Sequence, residues 1–273
     1  ANFLMMATVM GAFWAESRGH SRVAGVLLGL AVLMKMSPAL FVLLWCIERR
    51  WLAFSFAILT YVFASLLAVL FFGPDLSLYF YTVVLPSFSS GQYNGLRVPI
   101  HLFGNHSIPN LWHQIWPNRG PGLSSTASMM SSLTALGLVG GTLAVCVKPA
   151  ATFLGQAARW SAVAMVMLLI PVYTYEHHLI WALPAVVLTA LAVLQGRFGR
   201  VGVGALCFAW LGWAVSLKWL KTSAMALWGN PWSGAIAFSL QEWKTFSCLV
   251  LWIGLMVLVW RDRASRGREG AHE

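Results

Sequence analysis

The chain has 273 residues, 59% of them hydrophobic and only 10% charged, with a formal net charge of +10. Soluble domains carry about a quarter charged residues, so this composition excludes a chain that wraps itself in a solvated surface. In a membrane protein the positive balance marks the loops on one side of the bilayer, and no nucleic-acid partner is expected from it.

Ala1 opens directly onto an apolar stretch at 3–14, with no basic leader region and no small-residue cleavage pattern. The chain is therefore expected to start mid-protein, as a single transmembrane domain over 1–273 that is a fragment of a longer sequence. Arg18 and Arg22 follow. The next apolar material is interrupted at Lys35-Met36-Ser37-Pro38. Proline disrupts a helix and pushes its predecessor out of helical geometry. The pieces on either side, 23–34 and 39–47, are each shorter than the roughly 20 residues that a spanning helix needs. They predict a broken hairpin that enters the bilayer, turns at depth and returns to Glu48-Arg49-Arg50. Non-helical backbone is tolerated there only where it packs in protein or lines a wet cavity.

Residues 51–72 predict a full span. The long segment 73–128 follows, and its Pro86, Pro99, Pro109, Pro117 and Pro121, interleaved with aromatics, predict short helices and turns on the membrane surface. Further apolar runs lie at 129–147, 160–172, 179–194, 201–217 and 246–260. Twelve Lys/Arg fall in the turns at 16–22, 48–50, 148–159 and 195–200 and in the tail 261–273, all read as cytoplasmic; five fall on the other side, and Lys35 lies within the membrane. The expectation is an all-α, polytopic transmembrane bundle with 73–128 extracytoplasmic and 261–273 cytoplasmic. Fifteen tryptophans, many at run ends, fit an interfacial belt. Cys46, Cys146, Cys207 and Cys248 show no ligand spacing and read as small buried hydrophobes.

Three groups could carry chemistry. A lysine at depth costs about 2.5–3.5 kcal/mol on insertion scales, so Lys35 should face a cavity or a counter-charge. It would anchor an anion such as a lipid phosphate, unless the hairpin is shallow and Lys35 merely snorkels to the interface. The second group is Tyr173-Thr174-Tyr175-Glu176-His177-His178. Its carboxylate and imidazoles could orient a hydroxyl, shuttle a proton or balance a phosphate, or form only a polar interfacial turn. The third is the outer segment, with Asp75, Arg97, His101, Asn105, His106, Trp112, His113, Trp116 and Arg119. Aromatics beside hydrogen-bonding groups suit sugar or headgroup recognition, and they suit interfacial packing equally. His101, His106 and His113 lack a zinc-ligand spacing, so no metal site is expected.

In order, the chain presents Asn2 at the start of a helix, Ala24-Gly25-Val26-Leu27-Leu28-Gly29-Leu30-Ala31, Lys35 with Pro38, Arg49-Arg50-Trp51, Asn105-His106-Ser107 and Glu176-His177-His178. This order resembles glycosyltransferase family 87, the polyprenyl-phosphate-mannose-dependent mannosyltransferases of the GT-C class, over most of residues 1–195. The resemblance implies a GT-C-like bundle, a lipid-phosphate sugar donor, a lipid or glycan acceptor, membrane lipids as surroundings, and inverting transfer without metal or other cofactor. It implies that Lys35 meets the donor phosphate and that Glu176, His177 and His178 lie near the reaction centre. Asn105, His106, Ser107 and Arg97 would be substrate-binding, although the family commonly has glutamine at the position of His106. The catalytic base would be an aspartate in an outer loop before Ala1.

Other classes remain in view. A transporter or flippase of lipid-linked saccharides also uses broken helices and membrane-depth lysines, but it would show matching interrupted helices in two halves, and one Lys-Pro break is visible. An O-antigen ligase or polymerase would lean on several outer arginines, of which there are only Arg97 and Arg119. A purely structural subunit leaves Lys35 and the Glu-His-His group unexplained.

Overall fold

A computed structural model describes residues 2–89, 100, 104–118, 122–148, 150–228 and 234–269. Every regular element among them is helical. Among the described residues, four helices are long and apolar enough to cross a membrane: Trp51–Phe72, Ser125–Cys146, Glu176–Leu194 and Glu242–Asp262. The chain is a multi-pass helical membrane protein.

The first helix, α1 (Asn2–Ser17), is followed by α2 (Ser21–Met34), α3 (Ala39–Ile47) and α4 (Trp51–Phe72). The break between α2 and α3 falls at the Lys35-Pro38 stretch. Lys35 takes an extended conformation, with φ −162° and ψ 137°, while its N–H still donates to the Ala31 carbonyl at 3.1 Å. The two halves of the hairpin return to one end of the bundle. There Arg50 at the foot of α4 reaches Glu16 of α1 at 2.5 Å and Glu48 at 2.7 Å.

Why α2 lies against α4 follows from its glycines. A methyl group on Gly25 would stand 2.5 Å from the Ala53 carbonyl, and one on Gly29 would stand 2.7 Å from the Ala57 carbonyl. Gly25 and Gly29, four apart, present a side-chain-free strip to Ala53 and Ala57, the two buried residues of α4. Hydrocarbon tails are as apolar as leucine, so close backbone packing over small residues is what holds such a pair together. The rest of α4 faces outward with Leu59, Phe63, Leu66 and Leu70 exposed, as a lipid-facing helix should.

After α4 come α5 (Pro74–Tyr79), a π-helical turn (Phe80–Val84), α6 (Leu85–Ser89) and α7 (Ile108–Ile115). The short helices expected in 73–128 are present where that segment is described. Then follow α8 (Ser125–Cys146), α9 (Phe153–Leu169), a 3-10 turn (Glu176–Ala182), α10 (Leu183–Leu194), α11 (Arg200–Ala214), α12 (Leu217–Trp228) and α13 (Gly234–Glu269). The core is centred on α9, buried nearly throughout from Ala158 to Leu169.

Four details depart from the sequence reading. Helix α9 starts at Phe153, not near residue 160, because the Thr152 hydroxyl accepts from the Gly155 N–H at 3.0 Å and caps it. Arg159 is therefore a helical residue inside the protein rather than a loop residue. Lys244, counted with the outer loops, lies on α13 and is buried. Residues 217–228 form α12, and α13 starts at Gly234, well before the apolar run expected at 246–260. Cys207 is exposed on α11, unlike buried Cys146 and Cys248.

The Arg50 end is tied by charge and by turn geometry. Arg159 is fully buried, donates to Glu48 at 2.7 Å and also reaches the Lys148 carbonyl at 2.9 Å. Burial pushes the Glu48 carboxyl above the usual range, while the Arg159 and Arg50 charges pull it back. Arg49 is the one non-glycine residue with positive φ (58°) among the described residues. It ends α3 in a left-handed turn in which Arg50 N–H donates to the Trp45 carbonyl at 2.9 Å, so Glu48 and Arg50 emerge side by side. Gly19 and Gly196 make the same kind of turn after α1 and α10.

Candidate functional site

The other end of α2 carries Lys35. Its Nζ lies 3.3 Å from His178 Nε2, across 143 residues of sequence. The partner ring is fixed locally: His178 Nδ1 accepts from the Tyr175 N–H at 3.0 Å. A neutral imidazole that accepts at Nδ1 carries its proton on Nε2. Lys35 and His178 therefore aim two donors at one place. An anionic oxygen placed beside them could accept from both.

Beside this pair stands Glu176, roughly half exposed, with Oε1 3.3 Å from the Nζ of Lys244. Lys244 is only 4% exposed and also donates to the Trp213 carbonyl at 3.0 Å. His177 is exposed, its ring centroid 4.2 Å from that of His178. Lys35, Glu176, His177 and His178, separated in sequence, thus gather at one end of the bundle with a lysine on either flank.

The Asn105-His106-Ser107 motif is brought to the same end, but its side chains point inward. Asn105 Nδ2 donates to the carbonyls of Ile100 at 3.0 Å and Val172 at 2.9 Å, and its Oδ1 accepts from the Thr174 N–H at 2.9 Å. The His106 N–H donates to the Thr174 carbonyl at 2.7 Å, and the Ser107 hydroxyl donates to the Val172 carbonyl at 2.9 Å. The Ser107 hydroxyl also caps α7 by accepting from the Asn110 N–H at 3.2 Å. Three consecutive residues thus hold the backbone that leads into Glu176. Ile108 and Pro109 continue this buried wall, and His113 is buried on α7. Arg97, with His101 and Arg119, lies outside the described residues.

A second buried group supports the clamp. The Glu242 carboxylate, fully buried at the start of the last span, accepts from Asn110 Nδ2 at 2.8 Å, from the Gln114 amide and from the Thr245 hydroxyl at 2.7 Å. Asn110 in turn donates to the Asn105 carbonyl at 2.7 Å. Sequence reading missed Glu242, Lys244 and Asn110. An acid and a base placed two residues apart where an apolar run begins was the available signal.

The chain between α9 and the 3-10 turn also orders its aromatics. Tyr173 and Tyr175 lie nearly parallel, at 18° with centroids 6.1 Å apart, and Tyr175 lies 24° from His177 at 6.1 Å. Burial pushes both tyrosine hydroxyls above their usual range.

The family model of glycosyltransferase family 87 matches residues 1–174, a stretch that includes Lys35 and Asn105-His106-Ser107 and ends just before Glu176. No curated protein and no solved structure matches the chain.

Proposed function

Because the chain belongs to glycosyltransferase family 87 and is a membrane glycosyltransferase, we propose that it moves a hexose, mannose in the first instance, from a polyprenyl-phosphate donor to a lipid or glycan acceptor. The transfer takes place at the extracytoplasmic face of the cell membrane. The observation that carries this reading is the convergence of Lys35 Nζ and His178 Nε2 on one point, at 3.3 Å from each other.

In this reading the donor phosphate sits between those two groups. The acceptor hydroxyl attacks the anomeric carbon, the bond from that carbon to the phosphate oxygen breaks, and the electron pair leaves with the polyprenyl phosphate. Lys35 and His178 stabilise the charge that builds on the leaving phosphate, the kind of preorganised stabilisation that typically contributes a factor of about 10²–10³ per donor. Glu176, held by Lys244, orients the acceptor or a water near the reaction centre with His177. The base that takes the acceptor proton is a carboxylate, an aspartate by resemblance to the family, and Glu176 is the carboxylate that this chain places at the site. Asn105 and Ser107 act in this scheme by holding the 172–178 backbone. His106 joins them through its N–H, and Arg97 remains a candidate substrate contact. No cofactor enters the scheme.

The test is transfer of radiolabelled mannose from polyprenyl-phosphate-mannose by the full-length protein and its Lys35→Ala variant. A fall of about 10²-fold or more with an unchanged melting temperature is expected. Undiminished transfer in the variant removes Lys35 from the donor site. Family membership favours this reading over a transporter or flippase, which would move the lipid-linked sugar without release of polyprenyl phosphate.

A further inference from the structure

Just before the 3-10 turn the backbone at Tyr175 is extended, at φ −95° and ψ 170°. Extended backbone sends alternate side chains to opposite sides. Val172 and Thr174 go inward and are 7% and 2% exposed, whereas Tyr173 and Tyr175 are half-buried and His177 is exposed. The inward residues are the ones whose backbone groups Asn105, His106 and Ser107 bind. Thr174 is fixed once more by its hydroxyl, which donates to the Leu168 carbonyl at 2.5 Å. The buried motif therefore sets the register of this segment. A slip of one residue would turn both tyrosines into the core.

What that register displays is a row of near-parallel rings, Tyr173, Tyr175 and His177, running to the point where His178 meets Lys35. A pyranose offers one face of C–H groups that packs on an aromatic ring, while its hydroxyls need hydrogen-bond partners at the ring edge. These side chains carry both kinds of group, aromatic rings together with two phenol hydroxyls and an imidazole. We infer that Tyr173, Tyr175 and His177 form a hexosyl-binding platform, held in register by Asn105-His106-Ser107, next to the anion site at Lys35 and His178. The inference rests on the reading that a lipid phosphate binds at Lys35. It adds the place where a sugar ring lies and gives the buried motif its purpose.

The experiment measures binding to the full-length protein in nanodiscs by titration calorimetry, with three probes: polyprenyl-phosphate-mannose, bare polyprenyl phosphate and methyl mannoside. If the platform holds the donor sugar, Tyr175→Ala weakens the mannosyl lipid about tenfold and leaves the bare lipid phosphate unchanged. If it holds the acceptor sugar, the same loss appears with methyl mannoside alone. In either case Tyr175→Phe, which keeps the ring, retains most of the affinity, and the melting temperature stays put because Tyr175 is only half-buried. Unchanged affinity of Tyr175→Ala for both sugar-bearing probes overturns the platform. The phosphate reading fails separately, if Lys35→Ala binds bare polyprenyl phosphate as tightly as the parent protein.

Discussion

The two ends of helix α2 hold polar clusters of similar residue type but opposite completeness. At the Arg50 end every carboxylate meets a guanidinium: Glu16 and Glu48 on Arg50, and Glu48 again on Arg159. At the Lys35 end a lysine faces a histidine instead of an acid, and Glu176 stands half exposed beside Lys244. A buried cluster in which opposite charges meet one another acts as a fastener. At the Lys35 end two nitrogen groups converge, and in the proposed function both would donate to a substrate anion. The same chemistry of charge in low dielectric serves cohesion at one end and, in the proposed function, recognition at the other.

Substitutions can break this contrast. The largest effect is expected for Arg159→Leu, which strands Glu48 in a buried site. Loss of one member of a buried pair costs about 3–5 kcal/mol, so the protein should melt far earlier in detergent, with transfer per folded molecule little changed. A Lys35→Ala protein that melts as early as Arg159→Leu would erase the distinction between the ends. Next comes Gly29→Leu, whose side chain would meet the Ala57 carbonyl and Thr60. Overpacking of this kind costs about 1–3 kcal/mol. Since α2 also carries Lys35, activity should fall alongside the melting temperature, whereas Gly137→Leu on the open face of α8, with nothing within 4 Å, should change neither. The smallest effect is expected for Lys244→Met. It frees a half-exposed Glu176, an interaction worth about 1 kcal/mol or less, so transfer should drop only several-fold, with recovery in Lys244→Arg. A loss as deep as that of Lys35→Ala would move Lys244 into direct contact with substrate.

Much of the bundle is legible in the sequence because its signals are local. Trp51–Phe72 is a continuous apolar run and folds as one helix with the expected limits. The Lys35-Pro38 interruption is local as well, since proline and its neighbour constrain their own backbone. Arg159 was misplaced because a basic residue near an apolar run looks like a loop marker. Its status as a buried helical residue depends on Glu48, 111 positions away. The burial of Lys244 was equally out of reach of a local reading, its partners being the Trp213 carbonyl, 31 positions away, and Glu176.

Composition and hydropathy by themselves determined that the chain enters a membrane, that it is helical and where its apolar runs lie, because backbone groups in hydrocarbon must be satisfied within each segment. Residue types and order pointed to the glycosyltransferase family. Tertiary structure alone decided which polar residues meet. It closed Glu48 on Arg159, brought Lys35 to His178, and turned Asn105-His106-Ser107 inward onto the Val172–Thr174 backbone. Those pairings join segments up to 143 residues apart. A bond of a few ångströms between such distant groups is fixed by helix packing, which no local pattern encodes.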